Sequence, residues 1–159
     1  MTRATFAAGC FWAVEAVFRK CPGVVSTQAG YMGGEFEHPT AADVNSGRTG
    51  HAEAVDLEFD ENVISYDQLL DVFWECHDPT SLNRQGTDIG PQYRSAIFCH
   101  TPEQRTAATQ SRDRLQARGK LTRRIVTQIV SASTFWRAEE RHQRYLERHG
   151  EGGSAQAIC

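Results

Sequence analysis

The sequence predicts an α+β sandwich: a ferredoxin-like split β-α-β unit followed by an added helix, a strand and a short C-terminal helix. Hydrophobic runs of strand and helix period follow one another in the order strand, helix, strand, strand, helix, strand, without an internal repeat or linker. A chain of 159 residues with 40% hydrophobic content also suits one buried core. We therefore expect a single domain over residues 1–149 and a small, polar, mobile tail over residues 150–159.

The first half of the chain contains three predicted strands and one helix. Thr2–Ala8 is short and partly β-branched, and the apolar residues of 11–18 recur at helical spacing up to a Cys-Pro-Gly turn. Further strands are predicted over 24–31 and 52–59 from their alternating apolar residues. A polar loop is expected between these two strands, over residues 34–50.

The second half begins with a helix that should end before Pro79, because the residue preceding a proline disfavours helical dihedral angles. In order, the sequence predicts a helix capped by Ser65, a loop over 79–93, a strand over 94–99, a helix from Thr101 to Gly119, a strand over 124–131 and a helix over 139–149. In this topology both long loops should lie near the end of the first strand.

Charge and hydropathy favour neutral partners. The formal charge is −3 and the pI about 6.1, so no cationic field is available for nucleic acid or an anionic membrane. Basic residues interleaved with Asp, Gln and Leu are typical of a solvated helix face, and they are Arg112, Arg114, Arg118, Lys120, Arg123 and Arg124. Without an apolar run long enough for a membrane span or signal peptide, we expect a cytoplasmic monomer.

The cysteines also indicate a reducing compartment. They are odd in number and widely spaced, unlike a secreted disulfide scaffold: Cys10, Cys21, Cys76, Cys99 and Cys159. No pair forms a C-x-x-C motif, and adjacent Cys76 and His77 are poorly placed to bind one tetrahedral ion. We expect neither a metal nor another cofactor.

Cys10 is the first candidate functional residue. It lies at the predicted junction of strand and helix, where unpaired backbone N–H groups and the helix dipole favour a thiolate. Its neighbours Phe11 and Trp12 also suit an ordinary core cysteine, because free cysteine is among the most buried residue types. The location favours a nucleophile.

Two further candidates lie beside turns. Glu53 begins the third strand after a turn-forming run, 46–50, and is a candidate proton donor, although a glutamate at a strand start is usually just solvated. The loop 79–93 has an unusual density of polar residues, and loops of this length tend to be functional. Tyr93 at its end is a candidate hydrogen-bond donor; the alternative is a plain surface loop.

Six short motifs, in order, resemble those of peptide methionine sulfoxide reductase A. They are Gly9-Cys10-Phe11-Trp12 with Glu15, Gly30-Tyr31 with Gly33-Gly34, Gly50-His51-Ala52-Glu53, His77-Asp78-Pro79-Thr80, Arg84-Gln85-Gly86 and Gln92-Tyr93-Arg94-Ser95. The late segment from Phe135 to Leu146 also resembles the family. One tetrapeptide would be weak evidence, but the ordered set covers Thr5–Leu146.

The resemblance implies that Cys10 attacks the sulfoxide sulfur and becomes a sulfenic acid, while Glu53 protonates the oxygen. It implies that Phe11 and Trp12 form an apolar cup around the substrate methyl group. A carboxyl among aromatic rings can serve as a general acid at neutral pH, because desolvation favours its neutral form. The implied substrate is the S epimer of methionine sulfoxide, in proteins or free.

The resemblance extends to residues of supporting role. Tyr93 resembles the family's phenol donor to the oxygen, and Asp88 an acidic residue that acts through water. Tyr145 resembles a tyrosine at the pocket, although a tyrosine on a short amphipathic helix is as easily a packing residue. Ala41 departs from the pattern, because the family usually places a second oxygen-binding tyrosine there.

Recycling requires a second thiol, which reduces the sulfenic acid through a disulfide. Cys159 is the candidate, because nine residues beyond Gly150 span up to about 30 Å when extended. The tail is shorter than usual in the family, so the alternative is that Cys159 is incidental and that thioredoxin or an added thiol attacks Cys10 directly. The resemblance implies thioredoxin as the reductant.

Two rival functions remain open at this point. Cys10, His51 and Asp88 form a possible nucleophile, base and orienting acid of a thiol hydrolase, which would form an acyl-enzyme without redox change. A non-catalytic domain that binds sulfoxides is the other alternative, with Ala41 and the short tail preventing turnover.

Overall fold

The computed structural model describes residues 1–150 and contains eight strands and five helices in this range. The strands are β1 (Thr2–Ala8), β2 (Val24–Met32), β3 (Ala52–Phe59), β4 (Arg84–Gln85), β5 (Asp88–Ile89), β6 (Ser95–Cys99), β7 (Gln128–Ser131) and β8 (Trp136–Arg137). The helices are α1 (Phe11–Arg19), α2 (Ala41–Asn45), α3 (Tyr66–Glu75), α4 (Pro102–Ala117) and α5 (Tyr145–His149), with 3₁₀ turns at Pro91–Tyr93 and Glu140–His142.

One mixed sheet of six strands forms the centre of the fold, in the order β7-β6-β1-β3-β2-β8. Strands β1, β3, β2 and β6 are antiparallel to their neighbours in this set, and β7 alone runs parallel to its partner, β6. β4 and β5 form a separate two-stranded hairpin. The predicted α+β class is confirmed, and β1, which ends just before Cys10, is an interior strand.

The two faces of the sheet are packed differently. Alternate residues of a strand point to opposite faces, and Phe6 of β1 points to the face covered by helices. Its ring stacks on Phe18 of α1 at 5.0 Å and contacts Phe73 of α3 at 5.3 Å between centroids. Ala7 points the other way, into a smaller cluster of Met32 and Phe98 with several alanines. The larger core therefore lies under α1 and α3, on the face that α1 occupies as it leaves Cys10.

The predicted polar loop 34–50 contains a short helix, α2, that the hydrophobic pattern did not predict. The Thr40 side chain accepts a hydrogen bond from the Asp43 amide, and the Asp43 carboxylate accepts one from the Thr40 amide. This reciprocal capping box satisfies two backbone donors that a helix start leaves unpaired. A helix of five residues is thereby stabilised from its first turn.

The prediction of one continuous helix over 139–149 is wrong. The chain instead makes a 3₁₀ turn, passes through Arg144 with a positive φ of 49°, and only then forms α5. The Gln143 side chain bonds both the amide and the carbonyl of Ala29 in β2, at 2.8 Å each. The Arg144 amide donates to Glu15 Oε1 at 2.7 Å. These contacts with β2 and α1 outweigh the helical hydrogen bonds that the segment gives up.

The last strands also differ from prediction. The strand predicted over 124–131 is confined to β7, and the Val126 amide donates to the Pro79 carbonyl instead of a strand neighbour, at 2.9 Å. β8 was not predicted; it pairs with β2 through Gly30 and Tyr31. Across residues 1–150, none of the helices combines the length and the apolar character needed to cross a bilayer.

Candidate active site

Cys10 lies where β1 passes into α1, as the N-cap residue of the helix. The turn requires glycine at position 9, because Gly9 has a φ of 95° and an added Cβ would lie 2.9 Å from the Gln85 Cγ. The first-turn amides of α1 and its dipole surround Cys10 with partial positive charge. This position stabilises a thiolate over a thiol.

Glu53 is buried beside this junction, with 2% of its surface exposed. Its Oε1 accepts a hydrogen bond from the Phe11 amide at 3.1 Å, so the carboxyl is tied to the residue that follows Cys10. Burial raises the pKa of Glu53 to about 8; the Phe11 amide opposes this shift and the negative charge of Asp88 adds to it. The carboxyl is therefore protonated at neutral pH and able to give up a proton.

Aromatic rings form a cup beside Cys10 and Glu53. Phe11 contacts Tyr31 at 5.6 Å and His142 at 5.4 Å between ring centroids. The Trp12 indole N–H donates to His142 Nδ1 at 3.0 Å, and its ring stacks on Tyr145 at 3.7 Å. Trp12 is thus fixed both by a hydrogen bond in its plane and by a ring on its face.

Tyr93 and Asp88 are electrostatically coupled to Glu53: the charge of Asp88 raises the pKa of Glu53, and the charge of Glu53 raises that of Tyr93. Tyr93 is buried at the end of the 3₁₀ turn, and burial, with the negative charges of Glu53 and Asp88, raises the pKa of its phenol to about 12. Burial also raises the pKa of Asp88. The Tyr93 hydroxyl therefore keeps its proton across the physiological range and remains a hydrogen-bond donor.

The β4–β5 hairpin holds the predicted functional loop in place. Gln85 of β4 accepts from the Asp78 amide at 3.0 Å and donates to the Asp78 carbonyl at 2.7 Å. The same Gln85 packs against Gly9, so the loop lies at the end of β1 as predicted. Asp88, opposite Gln85 in the hairpin, is carried to the same place.

The base of the hydrolase alternative is not available. His51 is buried; its Nδ1 accepts from the Gly34 amide at 3.0 Å, and its Nε2 lies 2.7 Å from the Phe36 carbonyl. A carbonyl only accepts hydrogen bonds, so Nε2 carries the proton and donates it. Both ring nitrogens are hydrogen-bonded to the backbone, so His51 cannot act as a base for Cys10. The hydrolase alternative, which needs His51 in that role, is wrong.

A second histidine near Cys10 is also fixed. A cavity of about 300 Å³ is lined by Cys10, Cys76, His77 and Asp88. His77 Nδ1 lies 2.8 Å from the Phe73 carbonyl, to which it donates, and Nε2 lies 2.7 Å from the Ser95 hydroxyl. Burial lowers the pKa of His77 to about 4, so it is neutral. Within residues 1–150, no group of three or more His, Cys, Asp or Glu side chains is arranged to hold a metal ion.

The sequence and the fold have close counterparts among known proteins. Residues 2–158 match the model of the family described as peptide methionine sulfoxide reductase. The chain is 60% identical to the peptide methionine sulfoxide reductase MsrA of Geobacter sulfurreducens, over 96% of this chain and 94% of that protein. It is also 60% identical to MsrA of Methanothermobacter thermautotrophicus, over 92% and 87% of the two chains.

The chain belongs to the peptide methionine sulfoxide reductase family, of the MsrA kind. Solved structures of reductases of this family have the same fold. Reduced Mxr1 of Saccharomyces cerevisiae superposes with a TM-score of 0.88 at 33% identity, over 97% of this reductase and 88% of Mxr1. Methionine sulfoxide reductase A of Corynebacterium diphtheriae gives 0.83 at 33% identity, over 99% and 80%. Mxr1 has also been solved in complex with Trx2.

The structure of this reductase brings together most residues predicted from its sequence. Cys10 and Glu53 are joined through the Phe11 amide, the charge of Asp88 acts on Glu53, and that of Glu53 acts on Tyr93. Tyr145 contacts the Trp12 ring. Cys159, the candidate second thiol, lies outside the described residues.

Three residues of the reductase site were not predicted from the sequence as site residues: Tyr31, His142 and Glu139. Tyr31 pairs directly with Glu53 across β2 and β3, and its hydroxyl is buried without a partner among the described residues. Glu139 Oε2 accepts from the Ala41 amide at 3.2 Å; burial, with the negative charges of Glu139 and Glu53, raises the pKa of Tyr31. Tyr31 lies in the Gly30-Tyr31 motif, so its register on the predicted strand was the available signal. No local pattern links His142 to Trp12.

Proposed function

We propose that this reductase converts methionine S-sulfoxide, protein-bound or free, to methionine by nucleophilic attack of Cys10. The thiolate forms a bond to the sulfoxide sulfur while the oxygen is protonated. The hydroxyl then moves to the Cys10 sulfur as the S–O bond and the bond between the two sulfurs break, so that methionine leaves as a thioether and Cys10 is oxidised to a sulfenic acid. The position of Cys10 at the start of α1, where the helix dipole favours the thiolate, supports this role.

One observation carries the proposal: Glu53 is a buried acid that is protonated at neutral pH and is hydrogen-bonded to the residue following the nucleophile. A sulfoxide oxygen leaves poorly unless it is protonated. A general acid works best when its pKa lies near the working pH, and a pKa of about 8 meets this condition.

The remaining site residues are proposed to position the substrate. Phe11 and Trp12 enclose the methyl group, and Tyr145 holds the Trp12 ring from its outer face. The Tyr93 hydroxyl donates to the oxygen, and Asp88 acts on the pocket through water. Ala41 provides no side-chain donor, which leaves Tyr93 as the phenol proposed to bind the oxygen.

Cys159 is the proposed resolving thiol: its sulfur attacks the sulfenic acid sulfur, a disulfide to Cys10 forms and water leaves. The other cysteines are less suited, because burial raises the pKa of Cys21, Cys76 and Cys99, that of Cys76 to about 12. Thioredoxin is the proposed reductant of the disulfide, by thiol exchange.

We also propose the domain boundaries, the ferredoxin-like strand order and the cellular compartment of this protein. Residues 1–149 form a single catalytic domain whose first four long strands follow the ferredoxin-like order, supported by β6-β1-β3-β2 in the sheet. Residues 151–159, which include Cys159, lie outside the described residues. We propose a cytoplasmic monomer; the odd, scattered cysteines support the reducing compartment.

The test is a single turnover without reductant. Fully reduced protein is mixed with excess S-epimer methionine sulfoxide, the methionine formed is quantified, and thiols are mapped by mass spectrometry. We expect about one methionine per chain and a Cys10–Cys159 disulfide. Cys10→Ser should form none, whereas Cys21→Ser, a matched cysteine change, should behave like the parent.

The second thiol is tested with Cys159→Ser. We expect the same methionine yield with Cys10 trapped as sulfenic acid. Absence of methionine from the parent, with Cys10 still reactive toward thiol reagents, would overturn the catalytic proposal. A disulfide to another cysteine in the parent would overturn only the assignment of Cys159.

A further inference from the structure

A short groove leads away from the aromatic cup between α1 and α5, with a volume of about 180 Å³. On the α1 side it is lined by Trp12, Ala16, Arg19 and Lys20, which recur at helical spacing and so form one face of the helix. On the other side it is lined by α5 and Arg144. Since Trp12 is a wall of the cup, the groove begins where the cup ends.

The groove is positively charged in a chain whose formal charge is −3. Among the described residues its lining contains the cations Arg19, Lys20 and Arg144 and the acid Glu147, which is paired with Arg19 at 2.8 Å. An ion pair adds no net charge, so the positive charge that counts here is that of Arg144. Such a local field attracts acidic groups most strongly at low salt.

Arg144 is held in place through its backbone. It has a φ of 49°, its amide donates to Glu15 Oε1 at 2.7 Å, and it directly precedes Tyr145, which stacks on Trp12. Its side chain is exposed. A guanidinium is therefore carried on a fixed backbone at the rim of the cup.

We propose that this groove binds the residues that flank an oxidised methionine in a polypeptide substrate, and that it favours acidic side chains there. The inference rests on the proposed function, since the methionine sulfoxide must lie in the cup. From Trp12 to Lys20 the helix rises about 12 Å, which an extended peptide covers in about three to four residues. The favoured acid is thus within about four positions of the sulfoxide.

The test compares blocked peptides that differ at one position three residues from a methionine S-sulfoxide, before or after it, with Asp, Ser or Lys. We expect kcat/KM for the Asp peptide to exceed that for the Ser peptide by about two- to fivefold, the range of an exposed charge pair. The Lys peptide should be the poorest. Added salt should remove the difference.

Variants locate the effect. Arg144→Gln should reduce the ratio of the Asp to the Lys peptide, and Arg144→Glu should bring it to one or invert it. Lys120→Gln removes the same charge from an exposed position outside the groove and should leave the ratio unchanged. Equal kcat/KM for the Asp and Lys peptides, or a preference insensitive to Arg144, would overturn the proposal.

Binding separates this inference from the catalytic proposal. The same peptides are titrated into Cys10→Ser, and tryptophan fluorescence is followed. Tighter binding of the Asp peptide that depends on Arg144 would support the groove even if the parent failed to form methionine. Turnover of N-acetylmethionine sulfoxide with no charge preference in either assay would leave the reductase intact and reject the groove.

Discussion

Replacing Glu53 by glutamine should stabilise the fold in a pH-dependent way. The folded carboxyl has a pKa of about 8 and an ordinary glutamate one of about 4.5, so between these values the folded chain binds more protons than the unfolded chain. Stability then falls as pH rises through that window, by about 1.4 kcal/mol per pH unit. Glutamine keeps an acceptor for the Phe11 amide and has no charge to desolvate.

The magnitude follows from the window. Near pH 5 the parent and Glu53→Gln should have nearly equal free energies of unfolding. Near pH 7 the variant should be more stable by about 3 kcal/mol, an upper figure because the buried site relaxes. This corresponds to about 6–12 °C in Tm for a chain of this size. Above about pH 8 the difference should level off.

Urea unfolding at several pH values measures this difference, with Glu58→Gln as the matched control. Glu58 lies on the same strand as Glu53 but is exposed, so its substitution should give a small difference that varies little with pH. A stability difference for Glu53→Gln that is constant from about pH 5 to 9 would refute the account of Glu53 as a buried neutral acid. The same variant should lose most of its reductase activity at every pH.

Three further substitutions test other parts of the site. Ala41→Tyr should raise the single-turnover rate constant by up to about tenfold, since one net hydrogen bond to the oxygen is worth about 1 kcal/mol. Ala42→Tyr, at an exposed neighbour, should leave that rate constant unchanged. An unchanged rate constant for Ala41→Tyr would show that a phenol at position 41 does not reach the oxygen. His142→Phe leaves the buried Trp12 N–H without its partner, so we expect a loss of about 1–3 kcal/mol in urea unfolding and a raised KM, and both losses should vanish in a Trp12→Phe background. Gly34→Ala places a Cβ 2.4 Å from the Thr49 carbonyl oxygen. This contact should lower the free energy of unfolding by about 1–3 kcal/mol and reduce kcat by shifting the turn before Glu53. An unchanged free energy of unfolding would mean that the turn adapts without cost.

Much of the fold was accessible from the sequence because several elements have strong local signals. Thr2–Ala8 matches β1 at both ends, and the predicted caps at Ser65 and Thr101 do begin α3 and α4. In each case side chains within four residues decide the conformation. Helix α2 had such a signal too, in Thr40 and Asp43, but it carries too few apolar residues to produce a helical period.

The elements that sequence did not predict depend on distant partners. β8 has two residues, fewer than any periodicity requires, and exists because β2 offers an edge to Trp136. The 139–149 segment breaks at Arg144 because Glu15, 129 residues earlier, accepts its amide. Propensity is a weak guide where such long-range contacts decide the conformation.

The site divides in the same way. Cys10 was predicted from its place at a strand–helix junction and Glu53 from the turn-forming run before it, and the family resemblance supplied the role of each. His51 was wrong as a base because its partners, the Gly34 amide and the Phe36 carbonyl, are backbone groups that composition does not reveal. His142 was missed because its partner lies 130 residues away.

That separation between Trp12 and His142 has a consequence for biosynthesis. The nucleophile and the acid belong to the first third of the chain, whereas His142 and Tyr145, which hold the Trp12 ring, leave the ribosome near the end. Contacts of long sequence separation close late in folding, because their loop entropy must be overcome first. A growing chain therefore exposes its reactive cysteine before the Trp12 ring is held in place. Selectivity among substrates is acquired only when the last residues of the domain have been synthesised and packed.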